Sequence, residues 1–223
     1  MAIAHIVSTS AGGTASSTVT SSAVDTTGAN LIVVAVSVFG TNSVTVSDSK
    51  SNTPYTALTA RTQATQSLRM YYFLAPSVGS GHTFTASGTS IFPTISVSAF
   101  SGVATSSALD QESGTTSASG GTTFQPGSIT PSQDNCLLVT GVCSSGNTHS
   151  INGSFNATST NEAAGQHVGG GIAYKIQTTA GAENPTWTWV TSTGRAAGMA
   201  SFKPAVVSAA LLFATNEHFY RNR

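Results

Sequence analysis

Sliding the 223-residue chain along itself by 102 to 105 positions brings its apolar runs into register, and no other feature limits the fold as strongly. At an offset of 105, Asn30-Leu31-Ile32-Val33-Val34 falls on Asn135-Cys136-Leu137-Leu138-Val139, and upstream Val19 and Val24 fall on Phe124 and Ile129. At 102, Met70, Tyr72 and Leu74 meet Ile172, Tyr174 and Ile176; Gly79 meets Gly181; Val97 and Phe100 meet Met199 and Phe202. Thr83-Phe84-Thr85 meets Thr186-Trp187-Thr188 at 103, a one-residue slip of the kind a turn absorbs. The match lies in apolar positions and their order rather than in identity. It predicts a duplication, with halves at about 5–103 and 109–203 inside one β-sandwich spanning 1–203.

Each half reads as roughly five strands between turn residues. Leu31 to Val38 is almost continuously apolar, as in a central strand covered on both faces. Leu68 to Leu74 and Ile95 to Ala99 alternate, the mark of half-buried strands. Asp48-Ser49-Lys50-Ser51-Asn52, Gly79-Ser80-Gly81, Gly146-Asn147 and Gly169-Gly170-Gly171 supply turn signals. No segment before residue 204 keeps a helical period. The expected fold class is therefore all-β: a jelly-roll or Greek-key β-sandwich of about ten strands in two sheets, with an internal pseudo-twofold and a C-terminal tail over 204–223. Separate beads joined through the Ser/Thr/Gly-dense stretch 104–131 would each expose a sheet face, so the halves should pack face to face.

Ser and Thr together approach one residue in three, while charged residues make up 7% and the formal net charge is zero. Outward-facing hydroxyls suit strands and keep a surface wet without charge. Nucleic acid and anionic membrane surfaces demand a basic face, so neither is an expected partner. The longest apolar run, Ala205 to Ala214, is about half of the roughly 20 residues of a membrane span. Met1-Ala2-Ile3-Ala4-His5 has neither a basic nor an apolar leader region, which points to synthesis in a cytoplasm. Cys136 and Cys143, seven positions apart on one extended run, should face opposite ways about 23 Å apart at roughly 3.3 Å per residue, and so remain free thiols.

Catalytic and phosphate-binding motifs do not occur, and His5, His82, His149, His167 and His218 are scattered singly. The reading is of no catalytic, cofactor-binding or metal residues, and no cofactor. Asp48, Asp110, Asp134 and Glu183 sit beside turn residues, where carboxylates commonly cap backbone amides. Trp187 and Trp189 share one strand face; an exposed pair would stack on sugar rings, but the match of Trp187 to Phe84 favours burial. Leu68, Met70, Tyr72 and Leu74 form a core face, which turns Tyr71 and Phe73 outward, to pack under a loop or to meet another subunit. Val206, Val207, Leu211, Leu212 and Phe213 give the tail its apolar character. It either closes its own sandwich or docks on a neighbouring subunit, and the docking arm is the reading taken here.

Several stretches carry a resemblance: Ala29-Asn30-Leu31-Ile32-Val33-Val34; Val46-Ser47-Asp48-Ser49 followed by Asn52-Thr53; Tyr71-Tyr72; and Val97-Ser98-Ala99-Phe100-Ser101-Gly102-Val103 leading to Leu109-Asp110. Over about residues 5–203 the chain resembles Ser/Thr-rich jelly-roll-like β-sandwich proteins of bacteriophage virions, of decoration (cement) or fibre type, and of environmental bacterial surfaces. Ser51 stands where that group usually has Gly in an Asp-Ser-x-Gly-Asn turn. The resemblance implies a structural or adhesive role and brings no catalytic residue with it. The expectation is a non-enzymatic virion subunit of a tailed phage, self-associating as a homo-oligomer and contacting other virion proteins such as a capsid shell. The alternative is a carbohydrate-binding or adhesin module, extracellular or on a cell surface, with a glycan as partner.

Overall fold

The computed structural model describes residues 1–13, 17–89, 92–145, 149–163, 168–190 and 194–206. The first half supplies β1 (Ala4–Gly12), β2 (Thr18–Thr20), β3 (Leu31–Phe39), β4 (Val44–Asp48), β5 (Thr56–Ala57), β6 (Gln66–Leu74), β7 (Phe84–Gly88) and β8 (Thr94–Ser101). The second supplies β9 (Leu109–Ser117), β10 (Thr123–Phe124), β11 (Cys136–Ser144), β12 (Ser150–Ile151), β13 (Asn156–Ala163), β14 (Val168–Gln177), β15 (Trp187–Thr188) and β16 (Arg195–Phe202). Sheet orders are β1-β8-β3-β6-β5 and β2-β7-β4, then β9-β16-β11-β14-β13 and β10-β15-β12. Adding eight to each first-half label reproduces the second half. In each half the pairing is antiparallel and nested: first strand with eighth, second with seventh, third with sixth.

The two five-stranded sheets pack on each other, with Leu31, Val33, Met70 and Phe100 against Leu137, Val139, Ile172 and Phe202. Each outer face is covered by the three-stranded sheet of its own half: Val34, Val36, Tyr71 and Ile95 by Val44, Phe84 and Ala86, and Leu138, Val142 and Ala173 by Ile151 and Trp187. The molecule is an all-β sandwich, but with sixteen strands in four sheets among the described residues rather than ten in two. Five of those strands have only two or three residues, too few to show a period. The four-layer build also explains why alternation misled. Ser96 and Ser98, on the polar side of β8, are buried where the halves meet, not facing water.

Two of the sequence offsets need correction. Leu31 pairs with Phe100, and Leu137 with Phe202. Since Phe100 matches Phe202, Leu31 matches Leu137 at 106, not Cys136 at 105. A one-residue error of this kind exchanges the two faces of a strand. The connection into β11 is one residue longer than that into β3, and Asn135 lies in it with left-handed backbone, φ 60°. In the outer sheets, Val19 and Val46 both pair with Ala86, whereas Phe124 and Ile151 both pair with Trp187. Trp187 therefore occupies the place of Ala86, not of Phe84. Its bulk compensates on the facing sheet: Tyr71 of the first half is matched by Ala173 of the second.

The central interface is asymmetric. A Cβ built on Gly141 of β11 would lie 3.2 Å from Ala35 Cβ, 3.2 Å from Met70 Sδ and 3.3 Å from Leu68 Cδ1, so the absence of a side chain there lets first-half side chains approach. Hydroxyls bridge the halves: Ser37 Oγ donates to the Val142 carbonyl at 3.0 Å, and Ser98 Oγ lies 2.9 Å from both Ser8 Oγ and Thr158 Oγ1. The outer edges of β1 and β9 are engaged alike. Thr9 donates to the Ser22 carbonyl and Ser113 to the Pro126 carbonyl, fastening the segment after β2 or β10 along a strand edge that would otherwise invite another chain.

Candidate functional site

The titratable side chains form structural networks. Asp48 ends β4 and turns the Asp48–Asn52 segment by accepting the Lys50 amide at 2.8 Å and the Asn52 amide at 3.2 Å. Its other oxygen accepts the Tyr55 hydroxyl at 2.6 Å and the Asn52 side-chain amide at 2.9 Å. Burial acts to raise the Asp48 pKa, but the hydrogen bonds from Tyr55, Asn52 and Lys50 outweigh it and hold the carboxyl below its ordinary value. His82 Nε2 lies 3.4 Å from Asp48, and Thr26 Oγ1 lies 2.8 Å from His82 Nδ1.

A hydroxyl, an imidazole and a carboxylate in series are the components of a nucleophilic triad. Here Thr26 and His82 are sealed, Thr26 Oγ1 is also held by the Gly79 amide at 3.1 Å, and His82 stacks on Phe84. Burial depresses the His82 pKa against the opposing pull of Asp48. The cluster anchors the turns between β2, β4 and β7. In the second half, Glu183 replaces His82 in the equivalent bridge, and Lys175 replaces Phe73. Lys175 Nζ donates to Glu183 at 2.6 Å and lies over the Phe155 ring. Each half thus holds one carboxylate-centred pair near this bridge, but the carboxylate sits at a different position in each.

Asp110 accepts the Ser132 amide and hydroxyl at 2.8 and 2.6 Å, and Asp134 accepts the Ala180 amide at 2.7 Å, so both tie distant segments rather than cap their own turns. Glu183 acts through its ion pair. His5 stacks on Tyr174 across the halves, with centroids 4.9 Å apart. His149 is buried beside Trp187 and Trp189 with Nε2 2.8 Å from Ser144 Oγ, and burial pushes its pKa down to about 4. His167 and His218 lie outside the described residues. Among the described residues no three His, Cys, Asp or Glu side chains gather as metal ligands. Cys136 and Cys143 are free and buried. Trp187 and Trp189 are 0% and 3% exposed, so neither is a sugar platform.

Of the two aromatics expected to face outward, Tyr71 is only 8% exposed. It is covered by its own small sheet, and its hydroxyl donates to the Val44 carbonyl at 2.6 Å. Phe73 is half-buried, tilted against Tyr55 at 5.4 Å between centroids. It lines an open groove of about 500 Å³ with Thr53, Pro54, Thr56, Tyr72 and Leu74. Sequence reading missed Pro54, Thr56 and Leu74 as neighbours of Phe73; the signal available was the run of four apolar residues closing β6. A second open groove, about 920 Å³, lies in the other half and is lined by hydroxyls and amides of Thr115, Thr116, Thr123, Gln125, Asn184 and Thr186 around Phe124.

The tail leaves the sandwich where Val103 bridges Pro204 and the Ala205 amide donates to the Gly102 carbonyl at 2.8 Å. Val206 is 87% exposed. Val207, Leu211, Leu212 and Phe213 lie outside the described residues. No protein family, no curated protein and no solved structure matches this chain.

Proposed function

We propose that the protein is a non-enzymatic structural subunit of a virion surface, a decoration (cement) or fibre component of a tailed phage, with the apolar tail as its docking arm. The nested pairing in each half supports reading both halves as jelly rolls. The carboxylates and imidazoles described above are engaged in holding turns and sheets, which is work for the fold and not for a substrate. The observation that carries the reading is the exit of the chain: both sandwiches are complete at Phe202, yet the next segment begins with an exposed Val206 and continues apolar to Ala214. An apolar run of that length calls for a surface to cover it.

The flanking genes test the assignment. Capsid and portal genes beside this one are expected; polysaccharide-degrading enzymes in their place would contradict it. That second setting would favour a carbohydrate-binding or adhesin module, the reading supported by the hydroxyl-lined groove around Phe124, on whose ring the Arg195 guanidinium lies at 4.9 Å.

A further inference from the structure

We propose that the groove formed by Pro54, Thr56, Tyr72, Phe73 and Leu74 is the receptor for the apolar arm, Val207 to Phe213, of a second copy of this chain. The inference rests on reading the tail as a docking arm and names the surface that receives it. The groove wraps the apolar end of β6: Tyr72 and Leu74 on the face toward the other half and Phe73 on the outer face are each partly exposed, and Pro54 on the rim is exposed. It is also an unfinished sheet edge. Strand β5 pairs only with Tyr72 and Tyr71, through Thr56 and Ala57, so among the described residues Phe73 and Leu74 have a strand on the β3 side alone. An extended apolar segment laid there gains backbone hydrogen bonds as well as side-chain burial.

The second half lacks an apolar match. Lys175 stands in place of Phe73 and is committed to Glu183. One receptor and one arm per chain is the stoichiometry of a closed pair or a defined chain of subunits.

The chain exits on the side away from its own groove, which favours a partner's groove over its own. Phe202 sits edge-on to Tyr72, 5.3 Å between centroids, above β6. The chain then moves away from the groove: Pro204 bridges Val103, and Ala205 bonds Gly102, both beyond the end of β8. Strand β8 lies on the far side of β3 from β6, two strand spacings or about 10 Å across the sheet. A Cβ on Gly102 would run into Ala2, at the entrance to β1 and so toward the opposite edge from β5. Val206 leaves from that side with almost no contact to its own body.

The test is sedimentation equilibrium of the full chain and four variants. The full chain is expected to self-associate, and a chain ending at Ala205 to be monomeric. Thr56→Arg, on the exposed rim, and Phe73→Lys, which copies the second half, should each weaken association at least tenfold, as should Phe213→Asp in the arm. Mixing Thr56→Arg with Phe213→Asp should restore a heterodimer, because one carries an intact arm and the other an intact groove. If truncation abolishes association but both groove variants associate normally, the groove assignment is overturned and the arm reading stands. A full-length chain that stays monomeric, or a truncated chain that still associates, overturns both.

Discussion

Met70 of β6 and Gly141 of β11 belong to different halves, and their contact is the sharpest probe of how those halves meet. Gly141→Val adds a Cβ that falls 3.2 Å from Met70 Sδ and from Ala35 Cβ, and two methyl groups beyond it. Ala35 sits on a central strand with no rotamer to yield, so the insertion is overpacking and should cost about 1–3 kcal/mol. Met70→Ala removes a buried side chain from the same place and should cost about 2–5 kcal/mol. In the double variant, the valine methyls enter the space vacated by the Met70 thioether. The combined loss should then fall short of the sum by roughly 1–2 kcal/mol, within the range of couplings between touching residues. Urea unfolding followed by tryptophan fluorescence gives the four free energies. Strict additivity would show that these residues do not touch, and with that the face-to-face packing of the five-stranded sheets would fail.

Three further outcomes follow from the buried groups. His149 has a folded pKa near 4, below the unfolded value near 6.5, so only the unfolded chain gains that proton as pH falls between them; stability should drop by roughly 3 kcal/mol from pH 7 to pH 4, and His149→Phe should flatten the drop measured by urea unfolding. Asp48→Ala strips the hydrogen-bond partners from Tyr55, Asn52 and two backbone amides and should cost on the order of 3 kcal/mol, read as a lowered thermal midpoint; a change below 0.5 kcal/mol would contradict the anchoring role. Cys136 and Cys143 are both free, and burial pushes the Cys143 pKa up to about 12, so alkylation without reductant should label neither thiol in the native protein and both after unfolding.

The all-β class was legible because the alternating runs repeat every second residue and the continuous run Leu31 to Val38 is short and rich in β-branched residues. The strand-for-strand repetition was legible because Tyr72 and Tyr174, or Phe100 and Phe202, keep their pairing partners. The outer layers were not, for β10, β12 and β15 are two residues long. Tyr71 looked outward because an alternating strand declares which residues share a face but not what covers each face. The swap of Tyr71 and Ala86 for Ala173 and Trp187 is invisible in a self-alignment, which compares sizes position by position while packing conserves volume across two sheets. The Asp48–His82–Thr26 cluster joins residues up to 56 apart, and no spacing rule links them. The groove at Phe73 depends on where β5 stops, a matter of local turn geometry.

Light scattering on the full chain beside a chain ending at Ala205, combined with a thermal melt of both, tests the functional account most directly. Ala205 is retained so that the Pro204 bridge and the bond to Gly102 survive. The account predicts equal melting midpoints and β-sheet circular dichroism, with the mass of the shortened chain falling to 22.5 kDa less the eighteen residues removed while the full chain is a multiple of its own. A shortened chain that keeps the full oligomer, or that no longer folds, would contradict it.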